Sequence, residues 1–154
     1  METFLGQDFI KITEKNTTEP AATKNAGKGF AEGLEKGSVT GVMGGLGAGK
    51  TLFISGAGEK LGAAKQEVVS PTFNYVREYE GSGCRIYHFD FYRISSYEEL
   101  EKIGYRDNYL ADRDGIVIIE WPENVKEIFP DLDRLVVIEH KGGDKRKIKF
   151  YEPG

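Results

Sequence analysis

The sequence predicts an α/β protein: a mostly parallel central sheet with helices on both faces, an inserted antiparallel hairpin and a C-terminal β-hairpin. Three observations predict it. The run Gly44-Gly45-Leu46-Gly47-Ala48-Gly49-Lys50-Thr51 stands between a β-branched apolar run and a helix-compatible segment, a strand, loop and helix in succession. Ile116-Val117-Ile118-Ile119 reads as a strand buried on both faces, as parallel strands covered by helices are. Two aromatic and β-branched runs flank Gly81-Ser82-Gly83, a connection short enough for a hairpin.

In chain order, residues 8–13 alternate well enough for a strand. A helix follows, with Thr18 as N-cap, Pro20 in the first turn, an apolar stripe of Ala22, Ala26, Phe30 and Leu34, and Gly37 as its stop. The β-branched run 38–43 is the strand before the glycine-rich loop, and residues 51–61 are the helix after it, stopped by Gly62. Glu67-Val68-Val69 reads as a short strand leading into Ser70-Pro71-Thr72, and the hairpin strands are 73–80 and 84–92. Ser96-Tyr97-Glu98-Glu99 is a capping box for a helix through Ile103, stopped by Gly104, with a second helical stretch over 105–111. After the buried strand ending at Glu120, the runs 134–140 and 146–151, joined through Gly142-Gly143, form the last hairpin.

The 154 residues suit one domain, 1–154, with a sizeable core. With 39% hydrophobic and 30% charged residues the composition is that of an ordinary globular protein. No run approaches the roughly 18 apolar residues of a membrane span, and the first residues lack a basic region followed by a hydrophobic one, so a cytoplasmic location is expected. The single cysteine, Cys84, has no partner for a disulfide and no set of ligands at metal spacing, and reads as a structural strand residue. A net charge of −4 argues against unaided binding to nucleic acid. The basic tract from Lys141 to Lys149 contains Gly142-Gly143-Asp144 and reads as a solvated hairpin tip.

Gly44 to Thr51 fits the phosphate-cradling pattern G-x-x-x-x-G-K-[ST] at every required position. Glycines let successive N–H groups turn inward onto phosphate oxygens, and the following helix adds the partial positive charge of its N-terminus. Lys50 then reaches the β- and γ-phosphates, while the Thr51 hydroxyl serves a Mg²⁺ ion bridging them. This makes the predicted fold P-loop NTPase-like.

Hydrolysis also needs a carboxylate for the metal and its water. Glu120 closes the buried apolar strand, at the sheet edge where the phosphates would lie, either as a metal ligand through water or as the group that orients attacking water. Asp90, ending another aromatic strand, is the candidate linked to the metal. Ser70-Pro71-Thr72 is either a switch whose hydroxyl senses the γ-phosphate or a plain turn. Trp121 either covers the nucleotide or caps the core. His88 shares a strand face with Asp90 and either tunes that carboxylate or is a satisfied structural histidine.

The set Gly44 to Thr51, Ser70-Pro71-Thr72-Phe73, His88-Phe89-Asp90-Phe91-Tyr92-Arg93 and Glu120-Trp121-Pro122 resembles the TsaE family, once called YjeE. These are bacterial P-loop ATPases required for making N6-threonylcarbamoyladenosine beside the tRNA anticodon. The resemblance implies weak ATP hydrolysis by the chain alone and work with the TsaD and TsaB proteins, with tRNA reached through that pair. By motif position it implies nucleotide contacts from Gly44, Gly45, Leu46, Gly47, Ala48, Gly49, Lys50, Thr51 and Leu52. It gives Lys50, Asp90 and Glu120 catalytic roles, and makes Thr51, Asp90 and Glu120 the metal group. Thr72 would belong to a nucleotide-sensitive switch, and Trp121 would lie near the nucleotide or the partner. The family's Ser/Thr-rich N-terminal segment contributes to the adenine side, and Thr17, Thr18 and Thr23 are the residues here that match it. The departure is Gly45, where many members carry Asp: glycine keeps the backbone cradle and removes a charge. The rival readings are a small P-loop kinase acting on a metabolite, which the seven scattered arginines disfavour, and a nucleotide-dependent switch that does not need hydrolysis.

Overall fold

The β-branched run ahead of the glycine-rich loop becomes the middle of a sheet because both of its neighbours are equally apolar. In the computed structural model, which describes residues 1–63 and 75–154, the described residues run through fourteen elements. Strands β1 (Glu2–Phe4) and β2 (Gln7–Thr17) precede helix α1 (Pro20–Ala31), β3 (Val39–Met43) and helix α2 (Lys50–Lys60). Next come β4 (Val76–Glu80), β5 (Arg85–Asp90), the short helix α3 (Tyr97–Lys102) and a π-helical turn, Tyr105–Leu110. Strand β6 (Gly115–Glu120), 3₁₀ segments at Pro122–Asn124 and Lys126–Asp131, β7 (Arg134–His140) and β8 (Arg146–Pro153) complete the chain.

The strands form one mixed sheet in the order β1-β2-β8-β7-β3-β6-β5-β4. β7, β3, β6 and β5 are mutually parallel, whereas β4 on one flank and β8, β2 and β1 on the other pair antiparallel. The expectation of a mostly parallel sheet therefore holds only for the central four strands. The β1–β2, β4–β5 and β7–β8 connections are too short for the crossover that parallel pairing needs.

β6 shows how the two layers are built. All six of its residues are buried. Ile116 and Ile118 face a cluster with Ala26, Phe53, Ala57, Val136 and Ile138, beneath α1 and α2. Val117 and Ile119 face the opposite cluster of Phe89, Leu100, Tyr105, Ile128 and Phe129, beneath α3, the π-helical turn and the 3₁₀ segments. Helices thus lie on both faces, as expected from the run of β-branched residues.

Helices α1 and α2 cross closely because glycine stands at both contact points. A Cβ on Gly27 would fall 1.9 Å from the Phe53 carbonyl oxygen, and one on Gly56 would fall 1.9 Å from that of Lys24. No helix among the described residues is long and apolar enough to cross a membrane.

Several local expectations are corrected. The N-cap of α1 is Glu19, with Pro20 as the first helical residue, so Thr18 lies outside the helix. The helix ends at Ala31, and Gly37, at φ +86°, turns the chain into β3 instead of capping α1. Ser96 caps α3 by backbone geometry alone, without the expected capping box; instead Ser95 donates to Glu99 from Oγ at 2.9 Å and from its N–H at 3.3 Å. Cys84 is buried in the turn just before β5. The strand expected at Glu67-Val68-Val69, the Ser70-Pro71-Thr72 switch and Phe73 lie outside the described residues.

Candidate functional site

The carboxyl ends of β3, β5 and β6 gather the predicted residues. The parallel registers set Val42 and Asp90 beside Glu120 on its two sides. Strand alternation turns His88, Asp90 and Glu120 to the face carrying α2, and the loop after β3 delivers Lys50 and Thr51 at the start of that helix. Gly47 (φ +73°) and Gly49 (φ +102°) supply the left-handed turns of the loop, and Gly49 is the residue from which α2 begins.

Glu120 is the hub. Thr51 donates its hydroxyl to Oε1 at 3.1 Å, and His88 Nε2 lies 2.6 Å from Oε2. Only 5% of Glu120 is exposed. Burial pushes its carboxyl up, but the His88 hydrogen bond and charge, together with Thr51 and Lys50, outweigh this and hold it below the ordinary 4.5. Glu120 is therefore an anion there, able to accept further hydrogen bonds. Of the two readings of His88, the satisfied histidine holds: its ring bonds Glu120 and not Asp90. The pairing was hidden because it crosses between strands.

Asp90 is exposed at the end of β5, where its Oδ1 accepts the Tyr92 N–H at 2.9 Å. The donors at this edge are the hydroxyl of Thr51 and the carboxylates of Asp90 and Glu120, all hard oxygens. Among the described residues no group of three or more His, Cys, Asp and Glu converges as a metal cage. Such a set fits Mg²⁺, which keeps most of its water and shares one or two carboxylates with substrate phosphates.

Lys50 is buried and donates to the carbonyls of Gly44 at 2.5 Å and Gly45 at 2.9 Å. Burial pushes its ammonium below 10.5, against the pull of Glu120, Glu123 and Asp90. The same nitrogen lies 4.1 Å from the centroid of the Trp121 ring, a cation–π contact. Trp121 reaches that place from a left-handed backbone, φ +58°, which for a non-glycine residue costs about 1–3 kcal/mol. Its other neighbour is the exposed Tyr92, ring centroids 5.0 Å apart. Trp121 thus roofs the lysine as well as joining the edge of the core.

A cleft of about 440 Å³ borders the loop, lined by Gly44, Gly45, Leu46, Ala48, Trp121 and Glu123 among others. Gly45 and Leu46 are exposed there, and nothing lies within 4 Å of a Cβ built on Gly45. Leu52 is half-buried in the first turn of α2. Thr23 is only 2% exposed, its hydroxyl is 2.8 Å from that of Thr17, and its methyl would lie 3.6 Å from a Cβ on Gly49. It therefore stands behind the loop.

Two residues escaped the sequence reading. Glu123 lines the cleft, and burial pushes its carboxyl up while Lys50 pulls it down. The Pro122–Asn124 turn brings it in, and a Glu-x-x-Glu spacing after a strand carries no such signal. Arg146 binds the loop from the C-terminal hairpin. It stands within the tract read as a solvated tip, and that reading fails for this residue.

A family model described as "Threonylcarbamoyl adenosine biosynthesis protein TsaE" matches residues 17–148. The chain is 43% identical over 129 residues to the tRNA threonylcarbamoyladenosine biosynthesis protein TsaE of Haemophilus influenzae, covering 80% of this chain and 79% of that protein. It is 36% identical over 145 residues to the protein of the same name from Bacillus subtilis, covering 94% and 89%. Among solved structures, the crystal structure of YdiB from Bacillus subtilis matches with a TM-score of 0.67 and 28% identity, over 96% of this chain and 88% of that one.

Proposed function

The chain belongs to the TsaE family, and on that premise we propose that it is the ATP-binding and ATP-hydrolysing subunit required for threonylcarbamoyl modification of the tRNA adenosine beside the anticodon. It acts as one P-loop NTPase-like domain in the cytoplasm, together with TsaD and TsaB, and meets tRNA through that pair. The observation that carries the reading is the bond from Thr51 at the head of α2 to Glu120 at the end of β6, with Lys50 beside them.

ATP would be held by backbone N–H groups of the glycine-rich loop and of the first turn of α2, which have no partner within the helix. Lys50 exchanges the carbonyls of Gly44 and Gly45 for the β- and γ-phosphates, a stronger charge-assisted pairing in a partly dry site. Thr51, Asp90 and Glu120 would hold Mg²⁺, which would supply positive charge beside the phosphate oxygens. Glu120, kept anionic by its neighbours, orients the attacking water. Trp121 covers Lys50 and limits the entry of other water.

ATP turnover with and without added TsaD and TsaB, alongside tRNA modification by the complete mixture, tests the reading. Slow turnover by the chain alone, a faster rate with the pair and modification that requires this chain are expected. Phosphoryl transfer to a metabolite by the isolated chain, or modification that proceeds equally without it, would overturn the reading.

A further inference from the structure

The guanidinium of Arg146, at the first position of β8, is bound to backbone carbonyls on two sides. Nε donates to Ala48 at 2.7 Å and Nη2 to Gly47 at 3.1 Å, both in the glycine-rich loop. Nη1 donates to Gly143 at 2.7 Å and to Lys145 at 3.0 Å, both in the β7–β8 turn. Its neighbours in the hairpin do something else: Lys141 and Lys149 pair with Glu139, and Lys147 with Glu14. Arg146 is the basic residue of that tract whose charge is turned onto the loop.

Two successive carbonyls can reach one planar guanidinium only if the backbone between them is held on one side. The left-handed conformations at Gly47 and Gly49 allow that. A backbone alternating in this way directs its carbonyls outward and its N–H groups into a concave anion nest. Fixing the outward carbonyls therefore fixes the direction of the inward donors before a phosphate arrives, and donors that need no reorganisation bind charge best. The fit is close: a Cβ on Gly49 would stand 3.5 Å from Arg146 Nε.

We propose that Arg146 is a positioning residue of the phosphate loop. It locks the Gly47 and Ala48 carbonyls so that the loop's N–H groups face the polyphosphate, and it ties the loop's shape to the β7–β8 turn. The proposal rests on the nucleotide reading of the site and adds a residue to it. Lysine would replace the charge at this position but not the planar fork that spans two carbonyls.

The test uses the full chain as wild type, R146A and R146K, with ATP and Mg²⁺ titrated by calorimetry and thermal unfolding measured in parallel. R146A is expected to lose about tenfold or more in ATP affinity, the scale set by two charge-assisted hydrogen bonds. R146K should lose less. Millimolar guanidinium chloride should restore part of the affinity of R146A, whereas equal sodium chloride should not. ATP affinity of R146A within twofold of wild type would overturn the proposal, as would a loss that guanidinium leaves untouched. If R146A does not fold, R146Q carries the same comparison. A wild-type chain that binds no ATP would overturn the nucleotide reading itself, an outcome distinct from equal binding by wild type and variant.

Discussion

Lys50 and Trp121 form a stacked pair in which the ammonium lies 4.1 Å from the ring centroid while it donates to the carbonyls of Gly44 and Gly45. Trp121 is the single tryptophan of the chain, so its fluorescence reports on the lysine directly. ATP that draws Lys50 onto its phosphates is expected to change that emission in the wild type. Lys50→Ala should show no such change, and should lose ATP-dependent tRNA modification, because the phosphates lose their point charge. Unchanged modification by this variant would refute the assignment of Lys50.

Asp90 stands beside Glu120 in the β5–β6 register, yet is exposed where Glu120 is buried. Asp90→Asn keeps the shape and removes the charge. Mg²⁺-dependent ATP binding is expected to weaken by about tenfold or more, on the scale of lost metal-ligand support. Binding measured with a chelator present should change little. Equal losses in both conditions would remove Asp90 from the metal.

Glu120→Gln should lower ATP turnover by roughly a hundredfold or more if the carboxylate orients water. Modification that survives in this variant but not in Lys50→Ala would mean that binding alone suffices. The carboxyl is held below its ordinary 4.5, so the unfolded chain takes up this proton first. The stabilisation from Glu120 is complete above that ordinary value and is lost as the pH falls through the lower folded one. Urea midpoints of wild type and Glu120→Gln should therefore differ most at neutral pH and draw together on acidification below about pH 4.

Gly56→Ala tests the helix crossing. Its Cβ would meet the Lys24 carbonyl at 1.9 Å, and a backbone atom cannot swing away as a side chain can. A loss of about 1–3 kcal/mol in urea unfolding is expected, the usual cost of overpacking. Gly58→Ala, which meets nothing within 4 Å, should leave stability unchanged or raise it slightly.

What the sequence made legible were features whose physics is local. The loop from Gly44 to Thr51 declares itself through residue types at fixed spacing, and Glu120 through the four β-branched residues before it. The Thr18 cap failed because Pro20 fixes its own φ and starts the helix from Glu19. β1 is three residues long and carries too little periodicity to be seen. The mixed pairing of the sheet was obscured because alternation reports exposure and not strand direction. His88 and Glu120 are 32 residues apart, and Arg146 and Ala48 are 98 apart, so neither contact leaves a mark in any window of sequence.

The β2–β8 ladder pairs Phe9 with Pro153 and Thr17 with Arg146. Joining segments so distant along the chain carries a large loop-closure entropy, which slows folding. During synthesis the glycine-rich loop leaves the ribosome about a hundred residues ahead of its arginine clamp. A growing chain therefore carries the phosphate loop before the arginine that clamps it, and under the proposal above its full ATP affinity arrives only when β8 is paired.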